Sequence, residues 1–157
     1  MSEPAAVLML PRVWVGNEKA SINKTFFETE KITAVLNMTP TIPNMFVYDS
    51  NIEYTRVPLY DSVKKRDWKK MYEYMPFITE FIYKNSVIEG KNVLVHCRLG
   101  YQRSCTALVA YLMKYYSKDY NYTKAIEYCI SKKKDAFNYG NSVNFEKSLK
   151  KWEDRYK

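Results

Sequence analysis

Four short apolar runs mark the chain, and most are closed by a residue that interrupts a strand. Arg12–Val15 (RVWV) stops at Gly16, Ile32–Leu36 (ITAVL) runs into the proline-containing loop NMTPTIPN, and Ile52–Val57 (IEYTRV) alternates and is closed by Pro58. Asn92–Cys97 (NVLVHC) is almost continuously apolar, which predicts a strand buried on both faces at the centre of a sheet. Helical patterns fill the gaps. Trp68, Met71, Tyr72, Met75, Ile78 and Ile82 recur at helical spacing, and Pro76 among them predicts a kink or two consecutive helices. Ser104–Tyr116 is apolar on most faces, as a buried helix should be. Asn121–Ser131 and roughly Ser142–Trp152 predict two more helices. Strands alternating with helices give an α/β domain with a central, mostly parallel sheet flanked by helices.

The length of 157 residues fits one domain spanning 1–157, and composition changes that picture little. The 15 tyrosines, with frequent Lys and Asn, reflect coding bias as readily as function. The net charge of +8 favours anionic partners, whether phosphoproteins, nucleic acid or an acidic membrane face, although plain solubility explains it too. Cys97, Cys105 and Cys129 make neither an even disulfide framework nor a zinc spacing, and with a single histidine no metal or cofactor is expected. Free thiols suit a reducing compartment. The opening MSEPAAVLMLP has no basic region and too short an apolar run for a secretory signal; Ser2 stands where N-myristoylation needs glycine; there is no prenylation box. No stretch has the length of a membrane span. The expectation is a cytoplasmic protein.

The candidate chemistry lies in NVLVHCRLGYQRS, residues 92–104. An apolar strand, a tight loop and a buried helix follow one another there. A helix N-terminus presents unpaired N–H groups and the positive end of a dipole, so Arg98, Leu99, Gly100, Tyr101, Gln102 and Arg103 can wrap an oxyanion. Gly100 lets the backbone turn, and the Arg103 guanidinium can grip two phosphate oxygens. Cys97, at the floor of that cradle, sits in the electropositive setting that makes a cysteine nucleophilic, placed to attack phosphorus in line. A Cys-His protease dyad with His96 fails on geometry, because adjacent strand residues point to opposite faces. His96 is better read as support, holding the loop by a hydrogen bond.

His96-Cys97-(five residues)-Arg103-Ser104 resembles the active-site motif of the cysteine-dependent protein tyrosine phosphatases. The wider chain is similar to the small dual-specificity phosphatases, including their poxviral branch. Trp14-Val15-Gly16-Asn17 resembles their YLGN turn, Ile32–Thr39 their VLN(V/L)T strand, Ala110–Met113 their AYLM helix, and Phe145 with Leu149 the F-x-x-x-L of their last helix. The resemblance covers about residues 12–153. It implies hydrolysis of phosphotyrosine and phosphoserine/threonine on proteins through a cysteinyl-phosphate, without a cofactor. It implies an aspartate general acid on the loop before the long helix. Asp61 in VPLYDS is the first choice, with Asp67 and Asp49 as competitors. It gives Ser104 the role of hydrogen-bonding Cys97 and helping it leave.

Several features depart from that pattern or remain open. Leu99 replaces a small residue, Tyr101 and Gln102 make a bulky rim, with Gln102 read as a solvated side chain that could also meet substrate, and the Asn-x-x-Phe spacing near Asn141 is off by one. KKRDWKK (Lys64–Lys70) could steer an acidic phosphoprotein or an RNA end, or be a solvated helix start; Lys132-Lys133-Lys134 reads as plain surface. Cys105 could trap an oxidised Cys97, although apolar neighbours favour a core thiol. The rivals are an RNA 5′-phosphatase of the same superfamily, a pseudophosphatase that binds phosphoproteins without turnover, and the small tyrosine phosphatase or arsenate reductase class, whose loop lies near the N-terminus. Phosphorylated proteins are the expected partners; nucleic acid and a homodimer stay open. Composition and the poxviral resemblance point to a viral source.

Overall fold

The computed structural model describes residues 3–157. Five strands form one sheet in the order β1-β2-β5-β3-β4. β2 (Val13–Gly16), β5 (Asn92–His96), β3 (Ile32–Asn37) and β4 (Glu53–Arg56) are parallel neighbours, and β1 (Ala6–Leu10) pairs antiparallel with β2. The expected α/β fold is therefore observed. β1 was not anticipated: AVLML shows no clean alternation, because it is an edge strand whose residues are mostly half-covered.

Alternation along the central strands sorts side chains to two layers. Val13, Val15, Val93 and Val95 join the main core, while Trp14 and Leu94 join a smaller cluster with Phe27. Along β3, Ile32 and Ala34 fall on opposite sides despite being two apart, because the register with β5 shifts between them. The small layer is built on α1 (Glu18–Ser21) and α2 (Lys24–Thr29). Asn17 and Asn23 cap these helices through their side-chain oxygens. Each is too short to show a period, which is why neither was foreseen.

The main core packs beneath α3 (Lys65–Tyr83), α4 (Arg103–Tyr115), α5 (Tyr122–Lys132) and α7 (Glu146–Glu153). α3 runs through Pro76 instead of dividing there, and continues into a π-helical turn at Lys84–Ile88. Pro76 is only half-buried, so solvent can satisfy the Tyr72 carbonyl that its missing N–H leaves free. α7 begins at Glu146, later than Ser142, because the preceding polar groups are committed elsewhere. Ser142 N donates to Phe137 O at 3.1 Å, and Asn144 N to Gln102 Oε1 at 3.0 Å. Between α5 and α7 lies α6 (Ala136–Gly140), a turn in which Phe137, Asn138 and Tyr139 have φ of 55°, 55° and 61°. Left-handed backbone costs non-glycine residues about 1–2 kcal/mol each, and this turn is held by a fully buried Phe137.

Candidate active site

The parallel strands β2, β5 and β3 end together, with Gly16, His96 and Asn37 in register. Beyond β5 the chain makes one loop, Cys97–Gln102, before α4. The carboxyl ends of parallel strands are where an open α/β sheet offers a crevice.

Four of the six carbonyls of that loop are tied to neighbouring elements. Arg98 O accepts from Glu18 N at 2.9 Å, Tyr101 O from Phe137 N at 2.8 Å, and Gln102 O from Thr106 N at 2.8 Å. Gly100 O accepts from Lys133 Nζ at 2.8 Å and from the Cys105 thiol at 3.3 Å. With the carbonyls turned away, the N–H groups of Arg98 to Gln102 are left to the inner side, where they meet no acceptor among the described residues. Gly100 makes the turn with φ of +77°, and a Cβ there would stand 3.1 Å from the backbone of Gly16. The nest of amides adjoins the N-terminus of α4, whose dipole adds to it.

Cys97 is buried at the base of the loop, with its Sγ 3.2 Å from Ser104 Oγ. Arg103 is anchored by a 2.7 Å bond from one terminal nitrogen to Leu59 O, and its Nε is buried without a partner among the described residues. An anchored guanidinium with an unspent N–H is a clamp held ready for an oxyanion. Cys97, Arg103, Ser104 and the loop amides are thus brought together.

Asp61, Asp67 and Asp49 are separated by their surroundings. Asp49 precedes β4, at the amino ends of the parallel strands, and closes its own turn with Asn51 N at 2.9 Å. Asp67 is buried, accepting from Ser62 Oγ and from Arg66, and those bonds hold its carboxyl below the usual range. Asp61 follows β4 on the loop that also carries the Leu59 carbonyl gripped by Arg103, and it is exposed. Its Oδ1 accepts from Asn144 Nδ2 at 2.9 Å.

Three expectations need correction. Gln102 does not line a solvated rim. Its side chain is buried, donating to Asn138 Oδ1 and to Ser142 O at 2.9 Å, because α6 and the following loop fold over it. Lys133 is not plain surface: it is 3 % exposed, paired with Asp135 and bonded to the loop. His96 is buried, but its Nδ1 meets no partner among the described residues, so the expected supporting hydrogen bond is not made at that atom; only the Cys97 backbone favours its charged form. Burial, then the Arg56 and Arg103 charges, lower its pKa to about 4. Leu99 and, in part, Tyr101 stay exposed, beside a cavity of about 610 Å³ also lined by Asn17, Lys19 and Tyr139. Cys105 points to the outer side of the loop beside Cys129, and burial pushes its pKa well up.

Lys133, Asp135 and Asn144 were missed. A charge run normally signals a solvated face. The signal that could have found Lys133 is its spacing from the buried Ala125 and Cys129, at i+8 and i+4 along one face of α5. Asn144 carries no such mark.

Residues 13–155 match the family model for the catalytic domain of dual specificity phosphatases. The chain belongs to the dual-specificity phosphatase family. It is 34% identical over 155 residues to human dual specificity protein phosphatase 6 and 32% identical over 148 residues to human dual specificity protein phosphatase 9, alignments that cover 94% and 92% of this chain. They cover 38% and 37% of those relatives, so the chain spans under two-fifths of their length. The fold is similar to that of human DUSP28, with a TM-score of 0.78 and 20% identity over 98% of this chain and 96% of that one.

Proposed function

We propose that the chain is a protein phosphatase acting on phosphotyrosine and phosphoserine/threonine through a cysteinyl-phosphate. The support that weighs most is the loop in which every tied carbonyl is turned outward around the Cys97 sulfur, with the Arg103 Nε unspent. Family membership agrees with it.

In this reading the amides of residues 98–102 and the Arg103 fork hold the three non-bridging oxygens. Cys97 Sγ attacks phosphorus in line, the P–O ester bond breaks, and Asp61 gives its proton to the leaving oxygen. Asp61 then takes a proton from water, which attacks phosphorus and breaks the P–S bond. Ser104 Oγ, 3.2 Å from Sγ, stabilises the departing sulfur by donating to it. The chemistry asks for no cofactor. Cytoplasm is the compartment we infer, since all three cysteines are free and buried; no helix among the described residues is long and apolar enough to cross a membrane.

Steady-state turnover of phosphotyrosine and phosphothreonine peptides tests the reading. Asp61→Asn should lower kcat by about 10²–10⁴-fold, the usual worth of a general acid, while Asp67→Asn costs stability more than rate. Release of phosphate from triphosphate-ended RNA, with none from phosphopeptides, would overturn it.

A further inference from the structure

Two helices start beside Asp61 and travel together. α3 opens at Lys65, shortly after it in the chain, and α7 opens just after Asn144, whose amide bonds Asp61. Ser148 Oγ donates to Trp68 O, and one turn further the Trp152 and Tyr72 rings meet with centroids 6.4 Å apart. The helices therefore run parallel, outward from the acid.

Lys65, Trp68, Lys69 and Tyr72 share one face of α3 at i, i+3, i+4 and i+7. α7 adds Lys147, with Nζ 6.0 Å from the centre of the Trp68 ring, and Lys151, 4.6 Å from that of Tyr72. All four lysines are exposed, and among the described residues none has a carboxylate within ion-pair distance. Of their neighbours, Arg66 is paired with Asp67 and Lys150 with Glu146, while Lys64 and Lys70 flank the stripe as further exposed cations. Two exposed acids lie at the far end, Glu73 one turn beyond Lys69 and Asp154 three residues beyond Lys151; Asp154 pairs with Lys157, and neither is within ion-pair distance of a stripe lysine. Four like charges on one ridge repel, and contact with the rings holds two of them in place.

We propose that this α3/α7 lysine stripe docks an acidic segment of the protein substrate, next to the phosphorylated residue. The proposal rests on the phosphatase reading above. From Lys65 to Tyr72 the ridge is about 10 Å long at 1.5 Å per helical residue, which about three residues of extended chain would span. Asp or Glu residues flanking the phosphosite fit that length. RNA fits less well, because Trp68 and Tyr72, the rings on which bases would stack, are already met by lysine ammonium groups. The run Lys64–Lys70 thus contributes two of its five cations to the stripe, and α7 supplies the others.

The test compares two phosphotyrosine peptides, one flanked by Glu and Asp and one by Gln and Asn, with an aryl phosphate as the control for chemistry. The intact protein should prefer the acidic peptide by about tenfold in kcat/KM at low salt, and lose that preference at ~0.5 M salt. The K65E/K69E/K147E/K151E variant should abolish the preference and leave aryl phosphate turnover unchanged; the four alanine substitutions, gentler on folding, should reduce it. Absence of a preference in the intact protein, or its survival in the variants, would overturn the proposal. So would substitutions that abolish binding of single-stranded RNA or phosphatidylserine vesicles but spare the peptide preference. Fluorescence anisotropy of the acidic peptide on Cys97→Ser reads the docking without turnover, so failure of the phosphatase reading and failure of the stripe remain distinct.

Discussion

Acid should loosen this protein in a window set by its one histidine. His96 is 1 % exposed, and burial with two nearby guanidinium groups lowers its pKa from 6.5 to about 4. The unfolded chain therefore binds a proton near pH 6.5 that the folded chain refuses until about pH 4. Between those values the unfolded state holds more protons, so stability rises with pH and is lost as pH falls. Linkage over that window gives a loss of about 2.5 kcal/mol between roughly pH 7.5 and 4.5. With a urea slope of about 1–3 kcal/mol/M, the unfolding midpoint should drop by roughly 0.8–2.5 M. The carboxylates of Asp67 and Glu89, whose pKa values lie below their usual range, act at lower pH, so the two contributions separate. Urea titrations of the intact protein and of His96→Asn at several pH values measure the effect. The variant should be less stable at pH 7.5 and nearly flat down to pH 4.5. An equal slope in both proteins would refute the assignment to His96.

Lys133→Met leaves Asp135 buried without its cation and should cost about 3–5 kcal/mol in urea unfolding; adding Asp135→Leu should recover most of it. Gly100→Ala puts a Cβ 3.1 Å from the backbone of Gly16 at φ of +77°. It should lower Tm and weaken vanadate binding together, since the crowded atoms are main chain and cannot swing aside. Asn144→Ala removes the amide that donates to Asp61 and should reduce kcat by about 2- to 10-fold, the worth of one hydrogen bond, with vanadate affinity unchanged.

Much of the site was legible because its chemistry is local. Cys97, the loop and Arg103 lie on one continuous strand–loop–helix, so spacing along the chain was already spacing in space. The central strand was legible for a similar reason: burial on both faces leaves a run of apolar residues at 93–95. What holds the loop from behind was not legible. Lys133 reaches Gly100 across 33 residues and Gln102 reaches Ser142 across 40. The charge run itself hides Lys133, whose one mark is its helical spacing from the buried Cys129 and Ala125, and a glutamine at a loop edge reads as solvated until α6 is folded over it. β1 escaped notice because an edge strand needs no strict alternation, and α1 and α2 because one or two turns show no period.

The central claim is that Cys97 carries the phosphoryl group. Mixing the protein with a labelled aryl phosphate, quenching in acid within milliseconds and digesting it should place the label on the peptide containing Cys97. Ser104→Ala, which slows departure of the sulfur, should increase the amount trapped, and Cys97→Ser should trap none and release no phosphate. Steady release of phosphate by Cys97→Ser, or label found on another residue, would contradict the account.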